Sequence, residues 1–320
     1  MNNYNNICAS HWGNLGTNGC AFDVNQINGF ILVPESKAYT MATYATDAAF
    51  LTALKADALA DVKSARIYPY FHVIDCTDNT AANTAQASGY GVHIHTELGK
   101  PTLQFRLAER GLGQLQSVFR FMGNSGLKMV LSDKRGYLWG QKNAAGTTFT
   151  GASCQVDPEF KVPVGTNASD KFMNVRFEDE EMFLNPDKLD FYKFDAGTVL
   201  KDELSGIHNV KLYLVEATAT AIVVKAQRLD NLVDLGLSNE AALEQAGAWL
   251  LILASTGAAV TPSSVTYSST AGTFTLAGTF ATALNYLSLA GPTALAALAT
   301  PLGNGQTGGY ESNVLSVTPA

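Results

Sequence analysis

Three fragments decide how this chain folds: RIYPYFHVID (66–75), GYGVHIHTELGKPTLQFRL (89–107) and KMVLSDKRGYLWG (128–140). In each of them apolar and polar positions alternate. The alternating sets are Tyr68, Tyr70 and His72; Val92 and Ile94; Leu103, Phe105 and Leu107; Met129 and Leu131; and Tyr137 and Trp139. Successive side chains of a strand point to opposite faces, so strict alternation marks strands with one buried face. Thr77-Asp78-Asn79-Thr80, Gly99-Lys100-Pro101 and Asp133-Lys134-Arg135-Gly136 separate these segments with residues that favour chain reversal. A central antiparallel sheet is the expected result.

Outward from that sheet, Ala45 to Ala65 reads as a helix lying across it. Thr46 or Asp47 can cap it, and Leu51, Leu54, Ala58 and Val62 form its apolar stripe. Residues 1–30, rich in Asn and Gly, read as an arm or a loop, and 141–170 as a long Gly/Thr/Ser-rich connection. Strands are expected at Lys171 to Phe183, Val210 to Val215 and Ala221 to Ala226, and a helix capped by Ser238 and stopped by Gly247. From Trp249 onward charge almost vanishes, and short strands recur between Gly and Pro. The expected organisation is an arm or loop over 1–30, a β-rich assembly domain over 31–248, and a small sandwich over 249–320. The fold class is therefore mainly β, an antiparallel sandwich or barrel body with one or two flanking helices.

Charged residues make up 15% of the 320 residues, against about a quarter in an ordinary soluble domain, so much of the exterior is expected to lie against neighbours. The net charge of −7 argues against a grip on nucleic acid, which needs a basic face to displace counterions from phosphates. Cys8, Cys20, Cys76 and Cys154 are too few and too irregular for a disulfide framework, which points to a reducing compartment. The opening MNNYNNICASHWGN lacks a charged and an apolar region, so no signal peptide is expected, and no apolar run is long enough to span a bilayer.

His93 and His95, two apart on one strand, could hold a metal ion together with His72, but no carboxylate is spaced to orient the rings. Cys8, His11 and Cys20 lack the second close pair of a zinc site. The Gly89-Tyr90-Gly91 and Gly111-Leu112-Gly113 pairs read as turns or bulges, and no nucleophile elbow or phosphate loop is present. Neither catalysis nor a cofactor is expected. The densest charge is the run Glu178-Asp179-Glu180-Glu181, whose adjacent acids lack the alternation of a calcium loop. It is expected at an assembly interface or facing a lumen.

The C-terminal strand pattern, SSVTY, GTFTL and the segment after Tyr310-Glu311-Ser312, resembles the immunoglobulin-like domains appended to virion proteins of tailed phages. The remainder, with one early helix, a sheet-rich body and long Gly/Thr loops, is similar to the major tail tube proteins. That resemblance implies a virion protein made in the host cytoplasm. It also implies homo-oligomeric rings, hexameric and stacked, around a channel through which DNA passes without specific binding, in contact with other virion proteins and with no membrane. A head, decoration or tail-adaptor protein is the nearest alternative. A carbohydrate-binding surface module, stacking sugars on Trp12, Trp139 and Tyr310, is the alternative from another class.

Overall fold

The computed structural model describes residues 27–81, 84–87, 93–97, 99–107, 126–134, 136–143, 145–160, 171–178, 188–194, 198–229, 231–302 and 309–320. The chain is mainly β, with antiparallel sheets, and divides into two compact units. Among the described residues, the first holds those of 27–54 and 64–203, and the second those of 55–63 and 204–320.

The strands of the first unit are β1 (Ile27–Pro34), β2 (Tyr39–Thr40), β3 (Tyr68–Tyr70), β4 (Val73–Asp78), β5 (Thr84–Ala87), β6 (His93–Glu97) and β7 (Thr102–Leu107). They continue as β8 (Leu127–Asp133), β9 (Tyr137–Lys142), β10 (Thr148–Thr150), β11 (Ala152–Phe160), β12 (Lys171–Phe177) and β13 (Leu189–Lys193). Two helices accompany them, α1 (Asp47–Ala58), whose residues from Lys55 on are counted with the second unit, and the single turn α2 (Leu200–Glu203).

β8 pairs with β1 and β11, β11 with β12, β12 with β7, and β7 with β4. β1 also bonds to β3, which leads after two residues into β4. The run β1-β8-β11-β12-β7-β4 therefore turns back on its first strand and forms a barrel. Its interior is filled, not hollow: Phe30, Leu103, Phe105, Met129, Cys154, Met173, Val175 and Phe177 share one core, with the Phe30 and Phe105 rings 5.2 Å apart. These are the inward halves of the alternating sequences, as β7 shows with Leu103, Phe105 and Leu107 buried and the residues between them half-buried.

Outside the barrel, β9 carries β13 and β10, and β10 carries β2. Helix α1 packs there through Phe50, whose ring meets Tyr39, Phe149, Tyr192 and Phe194. The N-cap is Thr46, whose Oγ1 accepts the Ala49 N–H at 3.2 Å. The helix is shorter than the sequence pattern. Its buried stripe is Phe50, Leu54 and Ala58, and Val62 lies beyond its end, 63% exposed.

Four further expectations are corrected. Residues 27–30, assigned to an N-terminal arm, begin β1; residues 1–26 lie outside the described residues. The stretch 141–160, read as part of a long connection, holds the end of β9, β10 and all of β11, and 161–170 lie outside the described residues. Ile94 does not join the central sheet, because among the described residues β6 pairs only with β5, in a separate two-stranded sheet, and Val92 lies outside the described residues. The boundary expected near Ala248 lies at Leu204.

The reason for that last shift is pairing. The second unit contains β14 (His208–Ala217), β15 (Ala221–Arg228), β16 (Trp249–Leu253), β17 (Ala259–Val260), β18 (Ser264–Ser268), β19 (Thr273–Ala277), β20 (Asn285–Leu289), β21 (Tyr310–Ser312) and β22 (Leu315–Val317). One sheet runs β18-β19-β15-β14-β21 and the other β17-β16-β20-β22. Both contribute to a single core, with Leu212, Ile222, Val224 and Phe274 from the first and Leu251, Leu287 and Val317 from the second. The C-terminal part is thus a sandwich, as expected, but β14 and β15 are strands of it. Helix α3 (Gly236–Leu243) starts ahead of Ser238, with the Gly236 N–H on Asp234 Oδ1, and Asn239 departs from helical backbone within it. A short helix α4 (Pro292–Ala296) completes the unit.

Candidate functional site

Residue 178, the head of the acidic run, lies where β1, β8 and β12 terminate against β11. The strand register puts Pro34, Leu127, Cys154 and Phe177 level across these four strands. Each ladder gains one more bond past its end: the Glu35 N–H donates to the Gly126 carbonyl at 2.9 Å, and the Glu178 N–H to the Ser153 carbonyl at 3.0 Å. A pocket of about 230 Å³ results, lined by Glu35, Gly126, Leu127, Ser153 and Glu178. Ser153 alternates with the buried Ala152 and Cys154, so the pocket lies on the outer wall of the barrel. Gly126 has φ +114°, which side chains rarely adopt, and a Cβ there would come within 3.4 Å of Glu35 Oε2.

Both carboxylates are exposed, and among the described residues neither Glu35 nor Glu178 has an ion-pair partner. Cys154 lies beneath them in the core. Burial, and after it the Glu178 carboxylate, pushes its thiol up to about 12. Burial likewise raises Cys76 to about 12, helped by Asp75 and Asp78. At neutral pH both are thiols and not thiolates, so neither is an activated nucleophile.

The same shifts fix a pH dependence. A group whose folded pKa lies above its ordinary value, here 9.0, adds stability that is complete below that value and lost as pH rises toward the folded one. The thermal midpoint is therefore expected to fall steadily from about pH 9 to about pH 12, and Cys154→Ala to flatten part of that slope. An identical slope in the variant would remove Cys154 from the explanation.

Asp179, Glu180 and Glu181 lie outside the described residues, as do Cys8, His11, Cys20 and Trp12. Nor does the structure describe the side chains of His93 and His95. His72 follows β3 with its ring against Tyr70, and it is not on a strand beside β6. Among the described residues no three His, Cys, Asp or Glu side chains group closely enough to hold a metal ion. The stacking platform is contradicted: Trp139 and Tyr310 are both buried, at 3% and 7% exposure. Trp139 instead donates its indole N–H to Asp133 Oδ2 at 3.2 Å, and Tyr310 packs on His208. Among the described residues no helix is long and apolar enough to cross a membrane.

Sequence reasoning missed Glu35, which comes to line the same pocket as Glu178 through the β1-β8-β11-β12 register. The available signal was Pro34-Glu35-Ser36 closing the apolar run Phe30-Ile31-Leu32-Val33. Comparisons with protein-family models, with curated proteins and with solved structures found no match.

Proposed function

We propose that this chain is a virion structural subunit of the tail tube type, which assembles with copies of itself into stacked rings around a channel for DNA. The observation that carries the reading is the position of Glu178. It opens the acidic run on the outer wall of a filled barrel, exposed and beside a second carboxylate. A barrel packed with Phe30, Phe105 and Phe177 cannot itself be a conduit, so a channel must form between subunits, from outer walls. Carboxylates on such a wall repel phosphate, and DNA slides past without being held.

The low charge content of the chain fits a subunit whose exterior is covered by neighbours. Electron microscopy of the purified protein tests the reading through the rings or tubes it requires. Copy number per particle separates it from a head, decoration or adaptor role, because a tube uses many stacked rings and an adaptor a single one.

A further inference from the structure

The second unit exposes two apolar patches at opposite ends of the β14–β15 hairpin. The first is on β14 near the hairpin turn, where Tyr213, Leu214 and Val215 are 36%, 42% and 54% exposed. The register shifts between Leu214 and Glu216, so Val215 bulges. β21 covers only His208, Asn209 and Val210, the Asn313 side chain accepts the Leu212 N–H at 2.6 Å, and Ala320 donates to the Ala217 carbonyl. Between these caps β22 passes close to β14 without forming a ladder, so Tyr213 to Glu216 have no strand hydrogen-bonded to them on that side among the described residues.

The second patch follows β15. Gln227 bridges to Asp234, and the chain between them projects Leu232 and Val233, 62% and 43% exposed, with Leu237 of α3 at 65%. Leu232 has φ +58°, the left-handed conformation that leucine avoids. The turn that holds it is closed by the Leu232 N–H on the Arg228 carbonyl and the Arg228 N–H on the Val233 carbonyl, both at 2.9 Å, so the protruding position of the side chain is built into the fold.

We propose that these two patches bind each other between successive copies of the chain, head to tail, an inference that rests on the self-assembly proposed above. Charge selects this pairing. Lys211 lies over the Tyr213 ring at 4.9 Å and Lys225 stands opposite Tyr213 across the ladder, so the first patch is mainly basic, with Glu216 across the bulge. Asp234, which also accepts the Tyr267 hydroxyl, and Glu240 flank Leu232, Val233 and Leu237, with Arg228 at the base of the turn, so the second is mainly acidic. Either patch against its own copy would oppose like charges, whereas the two together oppose unlike ones. Between two copies the same pairing can close as a two-fold pair, and where each copy turns its two patches to different neighbours it propagates into the ring or stack that the self-assembly proposal requires. The partner is a second copy of this chain.

The test is cross-linking of the full-length protein. Val215→Cys chain is mixed with Leu237→Cys chain under a mild oxidant, beside each variant alone and the unsubstituted protein, which reports the native cysteines. A disulfide-linked dimer is expected in the mixture, absent from either variant alone, and lost when Leu214→Asp is added to the Val215→Cys chain. No dimer in the mixture beyond the controls would overturn the proposal, as would equal cross-linking of each variant with itself. Rings or tubes without the mixed cross-link would leave the assembly reading standing and remove this contact. The cross-link without rings or tubes would do the reverse. Both variants replace exposed residues, and normal thermal midpoints confirm that each is folded.

Discussion

Truncating Phe105 to alanine lowers the stability of the first unit by about 3–5 kcal/mol, the range for deleting a buried phenylalanine. The ring is fully buried at the centre of the barrel, on the strand between β4 and β12, with Cys76 and Met173 as its cross-strand partners. Its contact with Phe30 comes from the opposite part of the wall, so no single neighbour can move in to fill the space. Against a total stability of about 5–15 kcal/mol the loss is large. Urea unfolding followed through tryptophan fluorescence, to which Trp139 of the first unit and Trp249 of the second both contribute, measures it as a shift of the first unit's transition. A shift below about 1 kcal/mol would mean that the interior is not packed as described.

Asp133→Ala is expected to cost about 2–4 kcal/mol, because it strands two donors that one carboxylate satisfies. Asp133 is 1% exposed at the end of β8. Its Oδ1 accepts the Tyr137 N–H at 3.0 Å, its Oδ2 accepts the Trp139 indole N–H at 3.2 Å, and its carbonyl accepts the Gly136 N–H. The residue thus closes the β8–β9 turn and fixes the indole at once. Asp133→Asn keeps one acceptor oxygen and should lose clearly less. Equal losses in the two variants would show that charge, and not hydrogen-bond acceptance, is what matters at this position.

The alternation that named β7, β8 and β9 was legible because period two is a property of the extended backbone itself. The Asp133–Gly136 turn was legible for a similar reason: Gly136 has φ +83°, and Asp133 caps its own turn. The strands β10 and β11 were hidden in composition that reads as loop. Gly151 is there for contact, not for flexibility, since a Cβ would meet the Met129 backbone at 2.8 Å. Loss of charge after Trp249 was mistaken for a fold boundary. Lys211, Glu216 and Lys225 sit on β14 and β15 because those strands have an open face, yet their inner face belongs to the same core. Of the candidate site, the acidic run was visible as local sequence. Its neighbour Glu35 was not, because register across four strands is a long-range property.

Negative-stain electron microscopy of the purified full-length protein, over a range of concentrations, tests the self-assembly proposal most directly. Uniform rings, stacked annuli or tubes are the expected result. Isolated particles of single-chain size at every concentration would contradict it.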